Sequence, residues 1–253
     1  HTALRRQRQM CIRDRKGSYF GSGSFLSRSL SYDDEFFEVK KVESPSLKGE
    51  EHTLNLIEKQ LKTKKFLAVF LEPVMQRTGE VLSFNFLRSI KSLSKKYNVE
   101  LIYNETGSNA YRYSNEHFFA SNIEEILPTA GFSYLGGQAG ICFIKQKYFI
   151  EKPLMMISTW DGDEASFANY ALLIDIINKD KQLYRNSRLL FDFKLIEELS
   201  EYGTVNCKNG RGYFQGNLPY HFQEKFSFIK DRYIIDPSYS MIKNYLGDKY
   251  ERL

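Results

Sequence analysis

Apolar residues along the chain gather into short runs separated by stretches of helical spacing. Leu67-Ala-Val-Phe-Leu71, Val99-Glu-Leu-Ile-Tyr103 and Gly140-Ile-Cys-Phe-Ile144 are runs of strand length. Between the first two, Leu87, Ile90, Leu93 and Tyr97 recur three or four residues apart and predict an amphipathic helix. Leu54, Ile57 and Leu61 mark a shorter helix leading into Leu67. This alternation predicts βαβ units and a mostly parallel sheet, hence an α/β fold. In such sheets the ligand crevice lies just past the strand C-termini. Those positions here are Glu72 and Asn104-Glu105.

Further on, Lys145 to Met156 is a connection containing Pro153, and Asp161-Gly-Asp163-Glu164 places acids where a helix starts. That helix is expected to run to about Asn178, with Phe167, Leu172-Leu173 and Ile176-Ile177 as its apolar stripe. A second is expected through Leu189, Phe193, Ile196 and Leu199. Strands and turns follow at Thr204-Val205, Tyr213-Phe214 and Tyr233 to Ile235. A boundary near Asp180 divides the chain into residues 17–180 and 181–253. Gly17 to Phe25 is glycine-rich but lacks phosphate-loop spacing. Asp33-Asp-Glu35 and Lys40-Lys41 read as solvated surface.

Composition sets bounds on this picture. With 42% hydrophobic residues and no apolar run near eighteen residues, the chain reads as globular, with no membrane span or signal peptide. The net charge of +5 resides in residues 1–16, which carry six basic residues against one acid. This arm reads as non-native adapter sequence rather than a nucleic-acid-binding tail, and is set apart from the fold. Three separated cysteines fit a reduced, cytoplasmic setting. The four histidines offer no metal or triad spacing, and Asp161-Gly-Asp163-Glu164 lacks the remaining ligands of a calcium loop.

Glu72-Pro-Val, Leu101-Ile-Tyr-Asn-Glu105 and Ser158-Thr-Trp-Asp-Gly162 occur in the order and spacing of the large domain of class III aminotransferases, pyridoxal-phosphate enzymes of fold type I. The Ser-Thr-Trp-x-Gly string resembles the lysine epsilon-aminotransferase branch in particular. The resemblance runs from about Lys16 to Pro219. It implies a three-layer, mostly parallel large domain followed by part of a small C-terminal α+β domain. It also implies that the chain begins midway through that large domain.

Transamination requires a lysine for the Schiff base, a carboxylate that keeps the pyridine nitrogen protonated, and donors for the cofactor phosphate. The resemblance puts Asn104 at the carboxylate position and makes Asn104, Thr106 and Thr159 the cofactor-binding residues. An asparagine cannot offer a pyridinium a charge-assisted bond. The lysine position falls on Gly131 or Tyr134, depending on the side from which the segment is aligned, and no lysine occurs between Lys96 and Lys145. In the substrate-site loop Glu72 is retained, but Arg77 replaces a glutamate that pairs with the substrate-binding arginine. That arginine follows the strand near Ile234-Ile235 and has no clear counterpart. By their residue types alone, Asn104 serves equally as a turn cap, Thr159 as an N-cap or turn hydroxyl, and Glu72 as a structural acid.

Two functions remain open from sequence. The first is a degenerate aminotransferase homologue, without metal or nucleic acid, acting as a homodimer or as a heterodimer with an active paralogue, with an amino-acid-like molecule as its small ligand. The second is an active pyridoxal-phosphate transaminase moving an amino group between an amino acid and a 2-oxo acid.

Overall fold

The structure is a computed structural model that describes residues 8–12, 38–76, 79–134, 140–149, 164–229 and 231–247. A six-stranded sheet is formed by β1 (Arg8–Ile12), β2 (Glu38–Val42), β3 (Ala68–Leu71), β4 (Glu100–Asn104), β5 (Ala130–Tyr134) and β6 (Gly140–Ile144). Its order is β2-β1-β3-β4-β5-β6, with every neighbour pair parallel except β5–β6. Within the basic arm of residues 1–16, Arg8–Ile12 is a strand paired on both edges, in a stretch where charge outweighs the short Met10-Cys11-Ile12 apolar run. Lys40 and Lys41 lie in strand β2, where Lys40 is exposed and Lys41 half-buried.

Helices α1 (Glu50–Leu61) and α2 (Phe84–Tyr97) cover the sheet. Helix α2 starts where Ser83 Oγ accepts the Phe86 N–H at 3.0 Å, and it stops at Asn98, which takes the left-handed conformation at φ 51°. Its spacing brings Phe86, Leu87 and Ile90 onto one buried face, against Ile57 and Leu61 of α1 and Val69, Leu71, Leu101 and Tyr103 of the strands. Removing one such side chain, as in Leu87→Ala, costs about 2–5 kcal/mol.

The expected third parallel strand is antiparallel. β6 turns back on β5, pairing Ala130 with Ile144 through Tyr134 with Gly140. Five residues separate the two strands, too few for the crossover of a dozen or more that a parallel pair needs.

The second half contains α3 (Glu164–Lys179), α4 (Lys181–Leu199), an antiparallel sheet of β7 (Gly203–Lys208), β8 (Arg211–Gly216), β9 (Ser227–Ile229) and β10 (Arg232–Ile235), and α5 (Tyr239–Leu246). Phe191, Leu195, Leu199, Phe214, Phe222, Ile235, Ile242 and Leu246 form a separate core. The two helix faces differ from expectation. On α3 only Ile177 of the apolar stripe is buried; Phe167, Leu172, Leu173 and Ile176 are exposed. On α4 the buried face is Tyr184, Arg188, Phe191, Leu195 and Leu199, which leaves Leu189, Phe193 and Ile196 outside. Among the described residues no helix is long and apolar enough to cross a membrane.

Candidate functional site

Strands β3 and β4 run parallel in register, Leu71 opposite Tyr103, so the residues that follow them converge at one sheet edge. Glu72 and Asn104 meet there: Asn104 Nδ2 donates to Glu72 Oε1 at 3.0 Å. Glu72 Oε2 accepts the Gln76 N–H at 2.9 Å, closing the turn after Pro73. Asn104 Oδ1 accepts the Thr106 N–H at 3.0 Å, the turn-capping bond available to an asparagine. Both side chains are buried. The predicted crevice residues are therefore brought together, and the bonds they make hold the strand ends.

Glu105, 0% exposed, anchors the next layer. Its Oε1 accepts the Ser121 N–H at 2.7 Å, and its Oε2 accepts the Ala120 N–H and the Ser108 hydroxyl, each at 2.8 Å. Burial raises its carboxyl above the ordinary range, against those hydrogen bonds, which favour the ionised form. Thr106 Oγ1 accepts the Tyr134 N–H at 3.2 Å, and Asn109 Nδ2 donates to Ser133 Oγ at 2.8 Å and to the Tyr134 carbonyl at 3.0 Å. The loop after β4 is thus tied to the end of β5.

The two positions proposed for the lysine lie on β5. Gly131 has no room for a side chain: a Cβ there would sit 2.3 Å from Phe143 Cζ on the neighbouring β6. Tyr134, three residues on and on the opposite face of β5, is 51% exposed and presents a phenol. Arg77 and Thr159 lie outside the described residues.

The polar core also contains residues not singled out in the sequence. Arg211, on β8, is 2% exposed, pairs with Asp236 and donates to the Gln76 carbonyl at 2.9 Å. Arg112 lies 3.8 Å from the same Asp236. Asp236 directly follows β10. The only sequence signal for Arg211 is its position between two glycines, Gly210 and Gly212, at the start of an apolar strand. At Gly212 a Cβ would meet the Asn206 carbonyl oxygen, and at Gly79, with φ +70°, the Gly212 carbonyl oxygen. Gly79 lets its segment close against Gly212 of β8, next to where Arg211 reaches Gln76, while Gly212 lets β7 lie close to β8.

No family model and no curated protein sequence matches the chain. Its fold is similar to those of three aminotransferases of known structure. Ornithine delta-aminotransferase of Plasmodium falciparum aligns with a TM-score of 0.69 at 18% identity, over 98% of this chain and 63% of that one. Lysine aminotransferase of M. tuberculosis in its internal aldimine form gives 0.72 at 12%, over 97% and 65%. Adenosylmethionine-8-amino-7-oxononanoate aminotransferase of Methanocaldococcus jannaschii gives 0.69 at 16%, over 96% and 67%. The chain has the α/β aminotransferase fold, and it spans a little under two thirds of the P. falciparum enzyme's length.

Proposed function

We propose that this chain is a catalytically degenerate homologue of the class III aminotransferases, which keeps their fold and serves as a structural or regulatory partner of an active paralogue. One observation carries the reading. The strand that would supply the Schiff-base lysine offers Gly131, whose side-chain space Phe143 fills, and Tyr134, which has no amine. A phenol cannot form an imine with an aldehyde cofactor. Asn104 adds support, because its amide is engaged by Glu72 and the Thr106 N–H and has no charge with which to hold a pyridinium. Pyridoxal phosphate is the cofactor implied by resemblance, and the residues present do not fit its covalent attachment. No reaction step is assigned through it.

The exposed apolar residues Leu172, Leu173 and Ile176, which lie within one turn of each other on α3, support a homodimeric or heterodimeric assembly, since an exposed apolar patch marks an interaction surface. The absence of a Schiff-base lysine favours a heterodimer in which the paralogue carries the chemistry. A cytoplasmic setting and an amino-acid-like ligand belong to the same proposal.

The deciding experiment is an absorbance spectrum of the native protein with added pyridoxal phosphate, before and after borohydride. The spectrum of free cofactor, with no label retained on any lysine peptide, is expected. A reducible band mapped to one lysine would overturn the reading and establish a transaminase acting between an amino acid and a 2-oxo acid.

A further inference from the structure

The six-stranded sheet has a second end, opposite the strand-end contacts around Glu72 and Asn104. Helices α1 and α2 both finish there, because each leads directly into the start of a parallel strand, β3 or β4. Strand β6 runs the other way and finishes there too: the Lys145 N–H donates to the Thr129 carbonyl at 3.0 Å, just before β5 starts. Lysines collect at this end. The last turn of α1 and the turn after it carry Lys59, Lys62, Lys64 and Lys65, all exposed. Helix α2 finishes with Lys91, Lys95 and Lys96, and β6 is followed by Lys145 and Lys147.

Contacts join the three groups into one face. Glu58 of α1 pairs with Lys62 at 3.9 Å and with Lys96 of α2 at 2.7 Å. Lys91 donates to the Glu124 carbonyl at 2.5 Å, and burial, then the charge of Lys145, pull its ammonium below the ordinary range. Lys147 lies 3.4 Å from Glu100, at the start of β4. The acids on this face are Glu58, Glu100, Glu124 and Glu125, so nine lysines meet four glutamates, while Arg8 and Glu38 at the starts of β1 and β2 cancel. No described carboxylate pairs with Lys59, Lys64, Lys65, Lys95 or Lys145. A lysine in a last helical turn complements the helix dipole, which accounts for Lys59, Lys95 and Lys96. Lys64, Lys65 and Lys145 lie outside any helix and have no such role. Residues 17–253 are neutral overall, so this surplus is a concentration of charge at one end of the molecule. Apolar side chains stand among the lysines: Leu67, Leu127 and Phe149 are 47%, 42% and 58% exposed.

We propose that this lysine-rich end of the sheet docks on an anionic lipid bilayer, with the lysines over the headgroups and Leu67, Leu127 and Phe149 entering the headgroup boundary. Two features select a bilayer over nucleic acid. The surplus cations are all lysines, point charges without the planar fork with which arginine grips a phosphate. Exposed apolar side chains gain from the bilayer interface, and surface binding of this kind needs no membrane-crossing helix. The face involves neither Asn104 nor the lysine position on β5, so it stands or falls independently of the aminotransferase reading.

The test is sedimentation of the full chain with vesicles of phosphatidylcholine alone or enriched in phosphatidylserine. Binding about tenfold or more tighter to the phosphatidylserine vesicles, weakening as salt is raised, is expected. Residues 1–16 are basic as well, so the comparison of variants reads this face. Lys65→Glu combined with Lys145→Glu alters two exposed positions on different segments and should weaken binding about tenfold or more. Phe149→Ser should weaken it severalfold without changing its salt dependence. Undiminished binding in the lysine double variant or in Phe149→Ser, equal binding to both vesicles, or tighter binding to single-stranded RNA than to phosphatidylserine vesicles at the same salt would overturn the proposal.

Discussion

Asn104 donates to Glu72 across the C-terminal ends of adjacent parallel strands, 3.0 Å from nitrogen to oxygen, and both residues are almost fully buried. The pair joins two turns, since Glu72 also caps the Gln76 N–H and Asn104 the Thr106 N–H. An amide suits this place because it can donate to the glutamate and accept from the backbone at once. An aspartate, which the resemblance implies, would face Glu72 with a second carboxylate.

Asn104→Asp therefore brings two buried carboxylates within hydrogen-bonding distance, and one must hold a proton. Its folded-state pKa would be raised above the unfolded value, so the variant gains stability relative to wild type as pH falls and loses it as pH rises. A deficit on the order of 2 kcal/mol at pH 7, shrinking toward pH 4, is expected from urea unfolding. A deficit independent of pH would mean that the two side chains do not face each other.

Glu105 has the same sign of linkage from a different cause. Burial raises its carboxyl, so the folded protein keeps that proton to higher pH than the unfolded chain does. Its contribution to stability declines as pH rises from the ordinary carboxylate value through the raised one. Glu105→Gln removes this dependence and also turns an amino group toward one of the backbone N–H donors, costing about 1–3 kcal/mol at low pH. Urea midpoints from pH 4 to 7 should show the gap between wild type and variant narrowing as pH rises.

These strand-end contacts were half legible in the sequence. The runs at Leu67 and Val99 locate β3 and β4, and topology then places Glu72 and Asn104 side by side, because parallel neighbours end at one edge. β5 is obscured: Ala130-Gly-Phe-Ser-Tyr134 holds two strand formers, Phe132 and Tyr134, among small residues, and it becomes a strand by pairing with β4 on one side and β6 on the other. The outward stripe on α3 shows a different limit. Spacing tells which apolar residues share a face, but what that face meets depends on contacts distant in sequence. Arg188 reaches Ala110 across 78 positions, a relationship that no local pattern carries.

Arg211 and Asp236 offer a test of the contact between the two halves of the chain. Arg211 is fully enclosed, and its remaining described bond is to the Gln76 carbonyl, on the turn after β3. Asp236→Asn leaves that guanidinium charged and without its counter-ion. Breaking a fully buried pair costs about 3–5 kcal/mol, but Asp236 is 42% exposed, so a loss of about 1–3 kcal/mol is expected. Combining it with Arg211→Met should recover part of the loss, because the uncompensated charge is then gone. A double variant no more stable than Asp236→Asn alone would show that the pair is not what holds the turn against β8.

Gly131 provides the most direct probe of the lysine position. A methyl group there would lie 2.3 Å from Phe143 Cζ and 2.7 Å from its Cε1, so either the ring or the strand must move. Overpacking of this kind costs about 1–3 kcal/mol, and Gly131→Ala should lower the urea midpoint accordingly. Phe143→Ala opens the space, and in that background the Gly131→Ala penalty should largely vanish, because the two changes share one contact and cannot be additive. The same logic extends to Gly131→Lys with Phe143→Ala, in which a lysine would have room on β5. If that double variant folds and still gives no borohydride-stable adduct with pyridoxal phosphate, position 131 is excluded as the lysine site and Tyr134 is left as its counterpart. If the alanine penalty persists without the ring, contacts other than Phe143 limit the space beside Gly131.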